Sequence, residues 1–121
     1  MKNQRLFNRF TNSLAGIKSA WVTENSFRTQ VIITLLVLPV IYLLKAPPLW
    51  WGIFLVIIGA TLAAELFNTA LEYICDLLHP EFHPQIGMAK DCAAAAVLIL
   101  SLTSVFVFAA FVYERVVLIY Q

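Results

Sequence analysis

Three long apolar runs constrain this chain more than any other feature. Val31–Leu44 is interrupted only by Thr34 and Pro39. A second run extends from Leu49 to Cys75, and a third from Cys92 to Tyr113. About 20 residues cross the hydrocarbon core of a bilayer as a helix. The second run exceeds that, at roughly 27 residues or about 40 Å of helix. The first is short, and reaches a full crossing by taking in residues 27–30 and 45–47. Composition points the same way. The 121 residues are 61% hydrophobic and 12% charged, whereas a soluble domain is nearer half apolar and one quarter charged. There are too few charges to clothe a water-soluble globule, so the bilayer is the expected solvent. The expected fold is an all-α integral membrane protein forming one domain over 1–121. It has an N-terminal surface helix over 1–28 and spans over 29–46, 49–75 and 92–115.

The flanks of the runs set the orientation. Leu6, Phe10, Leu14, Ile17 and Trp21 recur at helical spacing, with Arg5, Arg9 and Lys18 off that stripe. Such a segment reads as an amphipathic helix lying on the membrane, with Trp21 at headgroup level. Five of the eight basic residues (Lys2, Arg5, Arg9, Lys18 and Arg28) precede the first run. The positive-inside rule therefore places this segment in the cytoplasm. Pro47-Pro48 reads as a turn, Trp50-Trp51 as an aromatic belt, and Lys45 as a snorkelling cation. Residues 76–91, with His79-Pro80 and His83-Pro84, read as a polar loop. Three crossings put that loop on the same side as the N-terminal helix and the C-terminus on the other. The first apolar run lies behind a polar segment and is followed by no small-residue cleavage site, so no secretory leader is expected. Cys75 and Cys92 have no metal-ligand or CxxC spacing and read as small apolar residues. The net charge of +1 gives no footing for nucleic acid, and none is expected as a partner.

The second run carries the chemistry. Glu65, Asn68, Glu72 and Asp76 fall within about 80° of one another at 100° per residue, a narrow polar stripe on an otherwise apolar helix. Ionisable groups inside a span are expensive and mark function, with Asp76 the member that also fits a solvated helix end. Glu65 and Glu72 lie about 10 Å apart along the axis, too far to share one proton or one small ion. The shallower Glu72 suits Mg²⁺, which keeps waters and phosphates among its oxygen ligands. The deeper Glu65 suits proton transfer. Glu24 follows the surface helix. Alone it is an exposed charge at a helix end; on the same membrane face as Glu72, it would complete a metal site. Lys90-Asp91 opens the third run and reads either as a snorkelling Lys with a capping Asp or as a point charge for phosphate. No GxxxxGK[ST] and no protein-kinase signature is present. On residues alone, three readings stand: a membrane enzyme, a small ion- or proton-conducting oligomer, and a scaffold glued by its polar stripe. Conduction demands polar groups through the whole membrane depth, and Leu49 to Gly59 supplies none.

Three segments then resemble a known family. Ala20-Trp21-Val22-Thr23-Glu24-Asn25-Ser26-Phe27-Arg28, the block Glu65-x-x-Asn68-Thr69-Ala70-x-Glu72, and Ala89-Lys90-Asp91 with the alanine run after it are similar to prokaryotic diacylglycerol kinase. The resemblance implies a homotrimer of three-span subunits in the bacterial inner membrane, phosphorylating a lipid alcohol with ATP at the cytoplasmic face. It implies Glu65 as general base and Glu24 and Glu72 as holders of Mg²⁺ with ATP, supported by Asn68. ATP contacts are implied for Arg5, Glu24, Glu72, Glu81, Phe82, His83, Lys90 and Asp91. A lipid site is implied at Trp21, Phe27, Arg28, Glu65 and Ala94. Met88, Gln30 and Asn12 depart from residues that some members carry. Undecaprenol kinases share the motif, and the Ala20-Trp21 pair points instead to 1,2-diacylglycerol.

The topology is testable by labelling. In a background lacking Cys75 and Cys92, Pro80→Cys and Gln85→Cys are expected to react with membrane-impermeant thiol reagents only from the cytoplasmic side. Gln121→Cys is expected to react only from outside. The reverse pattern would invert the chain in the membrane.

Overall fold

A computed structural model describes residues 5–121. Lys2, and with it the first four residues of the expected surface helix, lies outside the described residues. Four helices follow one another: α1 (Leu6–Thr23), α2 (Asn25–Leu43), α3 (Pro48–Leu78) and α4 (Pro84–Ile119). The last three are long and apolar enough to cross a membrane. Much of their apolar surface faces outward: Leu55 is 74% exposed and Phe106 73%. Side chains of that kind need lipid or another subunit as neighbour.

The helix ends follow local chemistry rather than polarity, and here the structure corrects the sequence reading. The segment 76–91 is mostly helix. Asp76 to Leu78 complete α3, and Pro84 to Asp91 belong to α4, which leaves a connection of only five residues, 79–83. Two prolines explain this. Pro80 disfavours helix at the residue before it, and α3 closes with the His79 N–H on the Cys75 carbonyl at 2.9 Å. Pro84 occupies the first turn of α4, where its missing N–H costs nothing. His83 Nδ1 caps that turn by accepting from the Gln85 N–H at 3.2 Å. Asp91 therefore lies inside α4 and is no cap. The change in polarity does not mark where the helix ends. Likewise the first break falls at Glu24, which is extended (φ −111°, ψ 111°), and α2 starts earlier than the expected span. Pro47 caps α3 and Pro48 is its first residue, so the turn lies ahead of them, at Leu44–Lys45.

α3 is the centre of the molecule. α4 packs along it most extensively, while α1 and α2 also contact it. At the end away from the 79–83 connection, Ile41, Phe54 and Phe111 form a buried cluster with Val37, Trp50 and Phe108 around them. Phe54 and Phe111 meet edge to face at 5.3 Å, and Trp50 meets Phe111 at 5.2 Å. Polar bonds close this end. Trp50 Nε1 donates to Glu114 at 2.6 Å, and Arg115 Nε donates to the Leu44 carbonyl at 3.0 Å. The second bond satisfies an α2 carbonyl that its own helix leaves orphaned. It stands beside Lys45, whose left-handed backbone (φ 54°) reverses the chain.

Phe111→Ala is expected to destabilise the fold by about 2 kcal/mol in detergent denaturation. That lies below the ~3–5 kcal/mol of a soluble core, because lipid tails replace water as the competing environment. A loss below about 0.5 kcal/mol would show that the aromatic cluster contributes little.

Candidate functional site on the third helix

From the middle of α3 toward the 79–83 connection, the polar face begins buried against protein. Thr61, Glu65 and Thr69 are buried, with Glu65 only 2% exposed. These positions repeat every four residues, so they share one face, and the same face is apolar at the other end of α3, where Phe54 lies. A buried carboxylate needs hydrogen bonds. Ser26 Oγ, in the first turn of α2, donates to Glu65 Oε2 at 3.1 Å. Thr61 and Thr69 satisfy their hydroxyls on the carbonyls one turn back, those of Ile57 and Glu65. The network continues into α4, where Ser104 Oγ lies 3.3 Å from Thr61 Oγ1. Gln30 Nε2 donates to Ser101 Oγ at 2.8 Å and bridges α2 to α4.

One to two turns beyond Glu65 the stripe approaches the surface. Asn68 Nδ2 donates to Glu72 Oε1 at 3.4 Å. Asn68 Oδ1 is buried and has no hydrogen-bond partner among the described residues. A bare buried oxygen beside a carboxylate fits a cation or a bound donor. Glu24, half-buried, lies at the α1–α2 break, and its neighbour Thr23 bonds Tyr73, the neighbour of Glu72, at 2.6 Å. No group of three or more His, Cys, Asp or Glu side chains gathers anywhere among the described residues. A closed, all-protein cage is thus not what this chain offers. One or two carboxylates plus an amide oxygen is the donor set that Mg²⁺ takes when phosphates supply the rest, so the residues fit the ion implied by the sequence.

The other expected residues take distinct places. Lys90, two turns into α4, forms an ion pair with Asp76 at 2.8 Å, so Asp76 is more than a solvated helix end. Asp91 follows it, exposed. Glu81, Phe82 and His83 make up most of the 79–83 connection. Phe82 is 90% exposed, and the His83 ring lies 5.5 Å from that of His79. Arg5 is exposed at the start of α1, remote in sequence from the rest. Trp21 and the buried Phe27 line an apolar groove with Ile17, Val31, Leu62 and Leu66. Arg28 donates to Asn25 Oδ1, and Ala94 is exposed on α4.

Sequence reasoning missed Ser26, Thr23, Tyr73 and the Gln30–Ser101 bridge. Thr61 and Thr69 were within its reach, since the same 100° arithmetic that aligned Glu65 with Glu72 places both on the stripe. The hydroxyl partners of α1 and α2 gave no periodic signal.

The fold and the site define a multi-pass membrane protein with a buried carboxylate and a polar stripe that runs from it toward one end of α3. The chain belongs to the prokaryotic diacylglycerol kinase family, whose model matches residues 11–112; it is a lipid kinase. It is 36% identical over 96 residues to the diacylglycerol kinase of Helicobacter pylori, covering 79% of this chain and 75% of that one. It is 33% identical over 100 residues to the undecaprenol kinase of Bacillus subtilis, covering 83% and 81%. The diacylglycerol kinase of Escherichia coli is 29% identical over 93 residues, covering 77% and 76%.

Proposed function

We propose that this kinase transfers the γ-phosphoryl group of ATP to the free hydroxyl of 1,2-diacylglycerol, giving phosphatidic acid. It does so as a homotrimer in the bacterial inner membrane, with its site on the cytoplasmic face. The observation that carries the reading is the buried Glu65, held by Ser26 and continued outward by Asn68 and Glu72. That stripe joins a dry position for a base to a shallow position for charged phosphates. The apolar groove of Trp21, Phe27, Leu62 and Leu66 supports a lipid substrate, because its last two residues flank Glu65 on α3.

Glu65 takes the proton from the lipid hydroxyl. The hydroxyl oxygen bonds the γ-phosphorus as the bond from that phosphorus to the β,γ-bridging oxygen breaks, and ADP departs. Glu24 and Glu72 would hold Mg²⁺ with the triphosphate, and Asn68 Oδ1, buried and unpartnered one turn before Glu72 on α3, would join them. Bound there, Mg²⁺ supplies charge neutralisation on the phosphate oxygens. Lys90 leaves Asp76 or shares its ammonium to meet a phosphate, aided by Asp91. Arg5, ahead of the stretch that the family model matches, and Glu81, Phe82 and His83 complete the nucleotide side. The broad outward apolar surface of α2, α3 and α4 supports assembly into a trimer. A conducting oligomer is not favoured, since the protein-facing side of α3 turns apolar at Phe54 instead of continuing the polar path.

Glu65→Gln keeps an oxygen for the Ser26 hydroxyl while removing the base. It is expected to lower phosphotransfer by at least about a hundredfold, the lower range for general-base loss, with assembly unchanged. Wild-type turnover would remove Glu65 from the mechanism. Glu24→Gln and Glu72→Gln are expected to raise the Mg²⁺ concentration for half-maximal activity by at least about tenfold, as large as the loss of an outer-shell partner of a metal. Unchanged Mg²⁺ titrations in both variants would place the ion elsewhere.

Substrate choice is checked in mixed micelles with labelled ATP. Diacylglycerol is expected to give a clearly higher kcat/KM than undecaprenol. A preference for undecaprenol beyond about tenfold, or about 1.4 kcal/mol of transition-state discrimination, would assign the chain to the other lipid alcohol.

A further inference from the structure

Glu24 stands between two hydrogen bonds that tie its chain to α3. After it, Ser26 bonds Glu65. Before it, the Thr23 and Tyr73 hydroxyls lie 2.6 Å apart across 50 positions of sequence. The direction of the second bond follows from a proton count. A threonine hydroxyl has a single proton, and Thr23 Oγ1 gives it to the Ser19 carbonyl at 2.9 Å. Tyr73 O–H is therefore the donor to Thr23 Oγ1, in a relay that ends on the backbone of α1.

The two contact points on α3 are Glu65 and Tyr73, about 12 Å apart along the axis, and both Asn68 and Glu72 lie between them. Glu24 is the joint of the break: its N–H donates to the Ala20 carbonyl of α1 at 2.8 Å and its carbonyl accepts from the Arg28 N–H of α2 at 3.2 Å, so it moves with the α1–α2 junction. Its place relative to Glu72 is set by how the junction is pinned, and Tyr73 pins it one residue from each carboxylate. Tyr73 is 47% exposed and so lies outside the buried core.

We propose that Tyr73 and Thr23 form a positioning pair that fixes the separation of Glu24 and Glu72 and so sets the affinity of the site for a divalent cation with nucleoside triphosphate. The inference rests on the reading of Glu24 and Glu72 as the metal-holding pair. Neither hydroxyl touches the ion; each acts through the carboxylate beside it in sequence.

The experiment measures binding of Mn²⁺ with a non-hydrolysable methylene analogue of ATP to the detergent-solubilised full chain, by the loss of the free Mn²⁺ electron-spin signal. Tyr73→Phe and Thr23→Val are each expected to weaken binding about three- to tenfold, the range of one hydrogen bond. Thr23→Ser keeps the acceptor and is expected to bind as wild type. The double variant Thr23→Val/Tyr73→Phe is expected to be no weaker than either single one, because both remove the same bond. In turnover assays the single variants raise half-saturation by Mg²⁺-ATP and leave kcat near wild type. Glu24→Gln and Glu72→Gln are measured alongside. If these weaken Mn²⁺ binding while Tyr73→Phe does not, or if the two hydroxyl losses add, the positioning pair is overturned and the metal site stands. If the Gln variants bind Mn²⁺ as wild type, the metal reading falls and the positioning pair falls with it.

Discussion

A carboxylate inside the apolar part of a protein needs donors around it, and in a bilayer those donors must come from the protein. Glu65 sets this demand at the middle of α3. The nearest answer is a hydroxyl on the first turn of α2, which obliges the start of α2 to lie against α3 and α1 to arrive at the same place. Thr61 and Thr69, one turn to either side, keep the flanking face hydrogen-bonded. The aromatic cluster at the far end holds α2, α3 and α4 together. The helices are thus fastened at one end mainly by aromatic packing, closed by two polar bonds, and at the other by hydrogen bonds.

This division suits a reaction at an interface. The aromatic end gives a firm scaffold, since its packing is closed by two polar bonds, Trp50 Nε1 to Glu114 and Arg115 Nε to the Leu44 carbonyl. The polar end is built from side chains on all four helices. Its bonds are single hydrogen bonds and one exposed ion pair, Lys90 with Asp76. Exposed pairs of that kind are weak and exchange partners readily. A site that must admit a charged nucleotide from water and a lipid from the bilayer benefits from such contacts more than from a sealed network.

Pro80 in the 79–83 connection and Pro84 at the start of α4 act together. They stop α3 just after Asp76 and restart the chain in time to place Lys90 two turns into α4. A loop spanning 76–91 would leave Lys90 unanchored. A helix there fixes it opposite Asp76.

The number of helices, their apolar character and the alignment of Glu65, Asn68 and Glu72 were legible in the sequence, because each follows from spacing along one chain segment. A span needs a minimum length of apolar residues, and a helix places every third or fourth residue on one face whatever surrounds it. The helix limits at Glu24 and Pro84 were less legible, since the change from polar to apolar residues does not report the hydrogen-bonding of the backbone. What the sequence could not express is which residues meet across helices. Ser26 with Glu65, Thr23 with Tyr73, and Gln30 with Ser101 are separated by 39, 50 and 71 positions. A lone hydroxyl or amide on a helix has many directions in which to find a partner. Only the rotation and height of α1, α2 and α4 against α3 decide which one it takes.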